Sequence, residues 1–103
     1  MVYYNPEALK DFENILYGLL LWPKHRLEAE HAKQYMRDMG KFCDSLDCNS
    51  FHAKSLYGFH KNYGDYVCRY KRNKNTVWYI IYNIDFYGNI WIEKITNNYL
   101  TME

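Results

Sequence analysis

Basic residues cluster in one part of this chain of 103 residues, between positions 51 and 75. That stretch holds six Lys/Arg and a single Asp, a net charge of +5, whereas residues 1–50 and 76–103 each carry −2. Arginine binds phosphate through a planar fork of donors whose charge is permanent, and lysine binds it as a point charge. The cluster is therefore a candidate phosphate-binding surface. Its members are Lys54, Lys61, Arg69, Lys71, Arg72 and Lys74.

Aromatic residues accompany the basic cluster. They make up 19% of the chain and twelve of them are tyrosines, which suit half-buried positions where the ring packs and the hydroxyl stays in water. Basic side chains beside aromatic rings are typical of a surface that holds a phosphate backbone and stacks bases, so the composition favours RNA as a ligand. The alternative interpretation is a solvated loop and one exposed strand face. The residues predicted to bind RNA are Lys61, Arg72, Lys74, Trp78, Tyr82 and Lys94.

A small sheet is predicted to position these side chains. Residues 76–84 are almost all aromatic or β-branched, the composition of a central strand. Alternation places Tyr79 and Ile81 on one face of that strand, and Ile80 and Tyr82 on the other. Both faces are apolar or aromatic, so we expect one to pack on helices and the other to form a concave aromatic surface.

Two amphipathic helices precede the sheet. Asn5 and Pro6 are typical of a helix start, and Pro23 stops that helix at about Trp22. The segment between Asp47 and Gly64 has no clear periodicity and is predicted to be a loop that leads into a strand. The predicted strands are Val2–Tyr4, Tyr66–Arg72, Thr76–Ile84 and Ile90–Ile95, and the second helix runs from about His25 to Leu46. The predicted apolar stripes are Leu9, Phe12, Leu16, Leu19 and Leu20 on the first helix and Ala32, Tyr35, Met36, Met39, Phe42, Cys43 and Leu46 on the second.

These elements predict a single α+β domain over residues 1–103, with two layers: an N-terminal strand and a helical hairpin packed on a mostly antiparallel sheet. Three cysteines without a CxxC spacing favour a reduced, cytoplasmic protein. Cys48 and His52 lie four residues apart but four well-spaced ligands are not evident, so we expect no metal and no other cofactor. We expect neither a signal peptide nor a membrane-spanning helix, and no membrane partner.

The chain resembles the RelE/ParE superfamily of bacterial type II toxins. The order of elements is similar, and three segments look like the family's basic-x-Leu-x-Gly segment, its arginine-bearing strand and its central strand. A fourth falls at the exit of the last strand, where many members carry His, Arg or Tyr. The four segments are Lys54–Gly58, Tyr66–Lys71, Trp78–Tyr82 and Asn97–Tyr99.

The resemblance implies a ribosome-dependent, metal-independent endoribonuclease that inhibits translation by cutting mRNA. In that chemistry a ribose 2′-OH attacks the adjacent phosphate. The resemblance places Arg69 at the phosphate with Lys71 beside it, and Lys54 at the RNA backbone or in the role of the base. Tyr99 is then the candidate terminal acid or stacking ring, and His52 a further acid or base.

One residue departs from the family pattern. Tyr79 stands where the family has an arginine on the central strand, which leaves two other functions open. The first is a ParE-like toxin that inhibits DNA gyrase by binding, and the second is a catalytically silent member that binds only an antitoxin or RNA. All three imply a cognate antitoxin as partner, and the cleaving toxin also implies the ribosome and mRNA.

Overall fold

The computed structural model describes residues 1–21, 28–47, 52–55, 58–71 and 76–97. The main elements agree with the sequence prediction in type and order. They are β1 (Val2–Tyr4), α1 (Pro6–Leu21), α2 (Ala29–Asp44), α3 (Gly58–Lys61), β2 (Tyr66–Lys71), β3 (Val77–Ile84) and β4 (Ile90–Asn97). None of the helices in these ranges is long and apolar enough to cross a membrane.

The four strands form one mixed sheet in the order β1-β4-β3-β2. The β2–β3 and β3–β4 pairs are antiparallel, whereas β1 runs parallel to β4. This confirms an α+β protein with a mostly antiparallel sheet. The free edge of β2 is extended by an isolated bridge between Lys54 and Tyr66, flanked by two backbone hydrogen bonds, from Ser55 N–H to Asp65 O (2.8 Å) and from Val67 N–H to Ala53 O (2.9 Å).

The core lies between α1, α2 and one side of the sheet, which we call the helix-facing side. The predicted stripe of α2 is confirmed, because all its members are buried or half-buried. On α1 the prediction for Leu9 was wrong, since its side chain is 54% exposed. The helix instead turns Ala8 and Asp11 inward, and Asp11 accepts a hydrogen bond from the backbone N–H of Ile95 (2.9 Å). The helix-facing residues of the three antiparallel strands are Tyr66, Cys68, Tyr70, Trp78, Ile80, Tyr82, Ile84, Ile90, Ile92 and Ile95.

The structure corrects three features of the predicted elements. Glu28 has an extended backbone (φ −62°, ψ 150°), so α2 begins at Ala29 rather than at about His25. The unassigned stretch contains α3, which was not predicted. The last strand continues to Asn97, two residues beyond its predicted end. The predicted helix end at Trp22 lies outside the described residues.

Two of the three cysteines lie in or beside the core, and both are free thiols. Burial raises the pKa of the Cys43 thiol to about 12, and the neighbouring Cys68 thiol adds to this effect. Burial likewise raises the pKa of Cys68 to about 12. Neither thiol is ionised near neutral pH, which makes both poor nucleophiles. Cys48 is outside the described residues.

Candidate nucleic-acid interface

The sheet face that points away from α1 and α2 is the outer face, formed by Val67, Arg69, Lys71, Tyr79, Ile81, Trp91 and Thr96. It is partly covered by α3 and the turn that follows it. A Cβ atom on Gly64 would lie 3.0 Å from Ile81 Cγ2 and 3.0 Å from the backbone oxygen of Tyr82, so this turn packs directly on the sheet. Ile81 is therefore fully buried, whereas Arg69 and Lys71 remain exposed at the side of the covered area.

Three side chains meet on the outer face around the Tyr79 ring. Arg69 is the cross-strand partner of Tyr79, and its Cζ lies 5.9 Å from the centroid of that ring. The imidazole of His60, on α3, lies 4.8 Å from the same ring at an interplanar angle of 42°. We call Arg69, Tyr79 and His60 the aromatic-arginine cluster. A guanidinium over a tyrosine ring gains about 0.5–1 kcal/mol at an exposed site, which helps to hold the charge in place.

The cluster is electrostatically suited to binding an anion. Arg69 and Lys71 are both exposed and lie two residues apart on β2, so their side chains point to the same side. His60 is only 3% exposed, which places an imidazole beneath the surface next to Tyr79. The arrangement can hold a phosphate at the Arg69 guanidinium, with the half-buried Tyr79 ring beside it and the His60 imidazole beneath the surface.

A second basic site lies at the edge of the sheet. Lys54 and Lys61 line a depression of about 300 Å³ together with Ser55, Asp65 and Tyr66. Ser55 is 2% exposed, and its buried hydroxyl has no hydrogen-bond partner among the described residues. Both lysines are exposed, so this depression brings together two of the predicted residues.

The structure does not bring all the predicted catalytic residues together. Lys54 pairs directly with Tyr66, whose side chain packs on the core, so its backbone position differs from that of Arg69, which projects from the outer face. The exposed Lys54 side chain instead shares its depression with Lys61 of α3. His52 is also separated from Arg69. Its Nδ1 lies 2.6 Å from the hydroxyl of Tyr82, and its ring packs against Tyr66 and Tyr82.

Two predicted RNA-stacking rings belong to the core. Trp78 is 6% exposed, and its indole N–H donates to the Tyr35 hydroxyl (2.7 Å). Tyr82 is 1% exposed, and burial raises the pKa of its hydroxyl well above the ordinary value. Neither ring can stack on a base while it is buried, so both assignments are corrected. The reason is that the helices cover this side of β3 rather than the side with Tyr79.

Lys94 is held in an ion pair and is not a free cation. Its Nζ lies 2.9 Å from Asp11 Oδ1, 3.5 Å from Glu7 Oε1 and 5.4 Å from the centroid of the Tyr63 ring. Partial burial lowers the pKa of Lys94, but the hydrogen bond and charge of Asp11, followed by those of Glu7, outweigh this effect and raise the pKa overall. An RNA phosphate would have to compete with two carboxylates, so the structure does not favour the predicted role of Lys94, which stays a prediction.

Three other predicted residues, Arg72, Lys74 and Tyr99, lie outside the described residues. Sequence reasoning missed His60 as a member of the site, because α3 itself was not predicted. It noted Tyr79 only as a replacement for arginine. The alternation of side chains could have indicated part of the site, because it determines on which face of its own strand each of Tyr79 and Arg69 lies.

No family model, curated protein or solved structure matches this chain.

Proposed function

We propose that this protein is a type II toxin of the RelE/ParE kind that acts in the cytoplasm and cleaves mRNA on the ribosome. The observation that carries the proposal is the aromatic-arginine cluster, in which an exposed Arg69 rests near Tyr79 with Lys71 on the same face. The order of elements supports it as well. A short strand, two helices and a mostly antiparallel sheet follow one another as they do in that superfamily.

In the proposed reaction the 2′-oxygen of a ribose attacks the adjacent phosphorus and loses its proton to a base. The bond from phosphorus to the 5′-oxygen breaks, and that oxygen takes up a proton. The products are a 2′,3′-cyclic phosphate and a 5′-hydroxyl. Arg69 and Lys71 neutralise the charge that develops on the phosphoryl oxygens, which is the contribution that preorganised cations make best.

Proton transfer needs a group close to Arg69. His52 is held by Tyr82 on the helix-facing side and is poorly placed for this role, whereas Lys54 is exposed and shares its depression with Lys61 of α3. His60 lies beside Tyr79 but is only 3% exposed. We therefore keep Lys54 as the candidate base and regard His60 as a packing partner of Tyr79.

Expression in bacteria tests the proposal. Wild type should arrest growth and produce new mRNA 5′ ends in phase with codons. Arg69→Ala should lose both effects, because it removes the phosphate-binding fork. Arg37→Ala is the matched control, since Arg37 is also an exposed arginine but lies on α2 and bonds Gln34. Growth arrest without new mRNA ends would contradict the nuclease.

A second candidate is a ParE-like gyrase inhibitor that acts by binding alone. The specific observation in its favour is that His52 is held on the helix-facing side, away from Arg69, in addition to the tyrosine at position 79. It predicts a DNA-damage response with intact mRNA. Loss of all effects on growth would instead indicate a silent member.

The proposal also includes a cognate antitoxin. A negatively charged antitoxin segment would complement the exposed cations of the outer face and block access to RNA. Addition of such a segment should abolish RNA binding, and Arg69→Ala should weaken its affinity.

A further inference from the structure

The turn between β3 and β4 is held together by the carboxylate of Asp85. One oxygen accepts the backbone N–H groups of Tyr87 (2.9 Å) and Asn89 (2.9 Å), and the other accepts the Asn89 amide (3.2 Å) and the Trp91 indole (3.0 Å). Backbone hydrogen bonds between Asp85 and Asn89 and from Gly88 to Asp85 close the turn. Gly88 adopts φ 83°, a left-handed conformation that favours glycine. The turn is therefore built around one preferred geometry.

This ordered turn presents two aromatic rings to solvent. Phe86 is 96% exposed and Tyr87 is 85% exposed, and their ring planes stand at 89° with centroids 5.6 Å apart. We call this pair the aromatic tip. The two rings together form an apolar surface whose burial by a ligand would be favourable. Because Asp85 fixes the backbone on both sides of the tip, the exposure is a property of the folded turn.

The chemistry near the tip favours a base over a phosphate as the group it contacts. Between residues 83 and 93 the charged residues are Asp85 and Glu93, and there is no Lys or Arg. Next to the turn, Tyr3 and Trp91 stack with centroids 4.7 Å apart, so aromatic surface continues along β4. In proteins that bind single strands, aromatic rings stack on the bases and a positively charged groove binds the backbone.

The backbone-binding site lies on the same hairpin. Tyr79, which contacts Arg69, precedes Asp85 by six residues on β3, a distance of roughly 20 Å along a strand. A single strand of RNA can span this distance, with its phosphates at Arg69 and Lys71 and its bases at the end of the hairpin.

We propose that Phe86 and Tyr87 form a stacking site for unpaired bases of single-stranded RNA. This inference rests on the proposed function, because it uses the same RNA strand that Arg69 and Lys71 bind. The tip contributes affinity through ring faces, and the cations contribute it through phosphate contacts. The two contributions are therefore expected to differ in their dependence on salt.

The test measures binding of a labelled, unstructured RNA of about 12 nucleotides, a length within the range of known single-strand sites. Fluorescence anisotropy is followed for wild type and for Phe86→Ala combined with Tyr87→Ala. Loss of stacking should weaken binding at least about fivefold and leave the salt dependence unchanged. Arg69→Ala should weaken binding and also reduce the salt dependence.

Two further variants isolate the cause. Tyr17→Ala removes a ring that is also largely exposed, 53%, but lies on α1, and it should leave RNA binding unchanged. Asp85→Asn keeps both rings but weakens the turn that holds them, so it should lower affinity less than removal of the rings. Urea unfolding of each variant shows whether it is folded.

The outcomes distinguish failure of the tip proposal from failure of the proposed function. Unchanged RNA affinity in the double variant overturns the tip proposal, even if Arg69→Ala abolishes binding and the proposed function stands. If the double variant binds RNA normally but no longer arrests growth, the tip binds a protein instead, and the inference is wrong. A wild type that binds no RNA overturns the tip proposal and the proposed RNA interface together. If the double variant binds RNA more weakly but Arg69→Ala does not, the result supports the tip and contradicts the role of Arg69.

Discussion

The two sides of β3 use similar residues in opposite ways. On the helix-facing side, Trp78 and Tyr82 are buried and their polar atoms are bonded to Tyr35 and His52. On the outer face, Tyr79 is half-buried and its ring lies near an exposed guanidinium. The comparison shows that a ring of the core has its polar atom bonded inside the protein, whereas a half-buried ring of the outer face lies beside a charge at the surface.

The two sides are expected to differ most in the effect of truncation on stability. Ile80→Ala removes a fully buried side chain from the core and should lower the free energy of unfolding by about 2–5 kcal/mol. Arg69→Ala removes an exposed side chain and should change it by no more than about 0.5 kcal/mol. Urea unfolding measures both. Similar losses for the two variants would contradict the assignment of Arg69 to binding.

Glycine substitutions test whether the covered part of the outer face is as tightly packed as the core. Gly64→Ala places a methyl group 3.0 Å from Ile81 Cγ2 and from a backbone oxygen, and should destabilise the protein by about 1–3 kcal/mol. Gly40→Ala, within α2, meets nothing within 4 Å and should stabilise the protein by about 1 kcal/mol. Thermal unfolding of the pair gives the comparison. A stable Gly64→Ala variant would show that the turn after α3 packs loosely.

The hydrogen bond of Trp78 can be measured by a double-mutant cycle. Trp78→Phe and Tyr35→Phe each remove one member of the bond, and the coupling free energy between them should be about 1 kcal/mol. The same cycle with Arg69→Ala and Tyr79→Leu on the outer face should give about 0.5 kcal/mol. A larger coupling on the outer face than in the core would reverse the interpretation of the two sides.

The indoles of Trp78 and Trp91 should respond differently to acid. Trp91 donates to the Asp85 carboxylate, and this hydrogen bond, followed by the backbone N–H groups, lowers the pKa of Asp85 below its ordinary value. The resulting stabilisation of the turn is fully present above about pH 4 and is lost as the pH falls through the lowered pKa. Trp78 donates to a hydroxyl, which does not titrate in acid. NMR should therefore show the Trp91 indole signal moving below about pH 4, while that of Trp78 stays in place. The reverse order would contradict the turn geometry.

The regular part of the fold was predictable from the sequence, because hydrophobic periodicity specifies it. Alternation in β3 and the apolar stripe of α2 both follow directly from the residues. Leu9 was misassigned because a small residue, Ala8, and a carboxylate, Asp11, take the inward positions on α1. A hydrophobicity pattern does not anticipate an inward carboxylate whose role is to accept the N–H of Ile95.

The candidate site was only partly predictable. Arg69 and Lys71 follow from charge and alternation, and the structure places both on one exposed face. Trp78 and Tyr82 were misassigned because both sides of β3 are apolar or aromatic, so the sequence alone cannot tell which side the helices cover. His60 depends on α3, whose four residues have no periodicity to detect.

The parallel pairing of β1 with β4 has a consequence for folding during synthesis. Val2 pairs with Ile90 and Tyr4 with Ile92, so these contacts join residues almost the whole chain apart. The β2–β3 and β3–β4 hairpins can form from local contacts as soon as their residues leave the ribosome, whereas β1 must wait until β4 has been made. After β4 has joined β3 and before β1 docks, β4 has an unpaired edge, so a newly made chain passes through a stage at which another strand can take the place of β1.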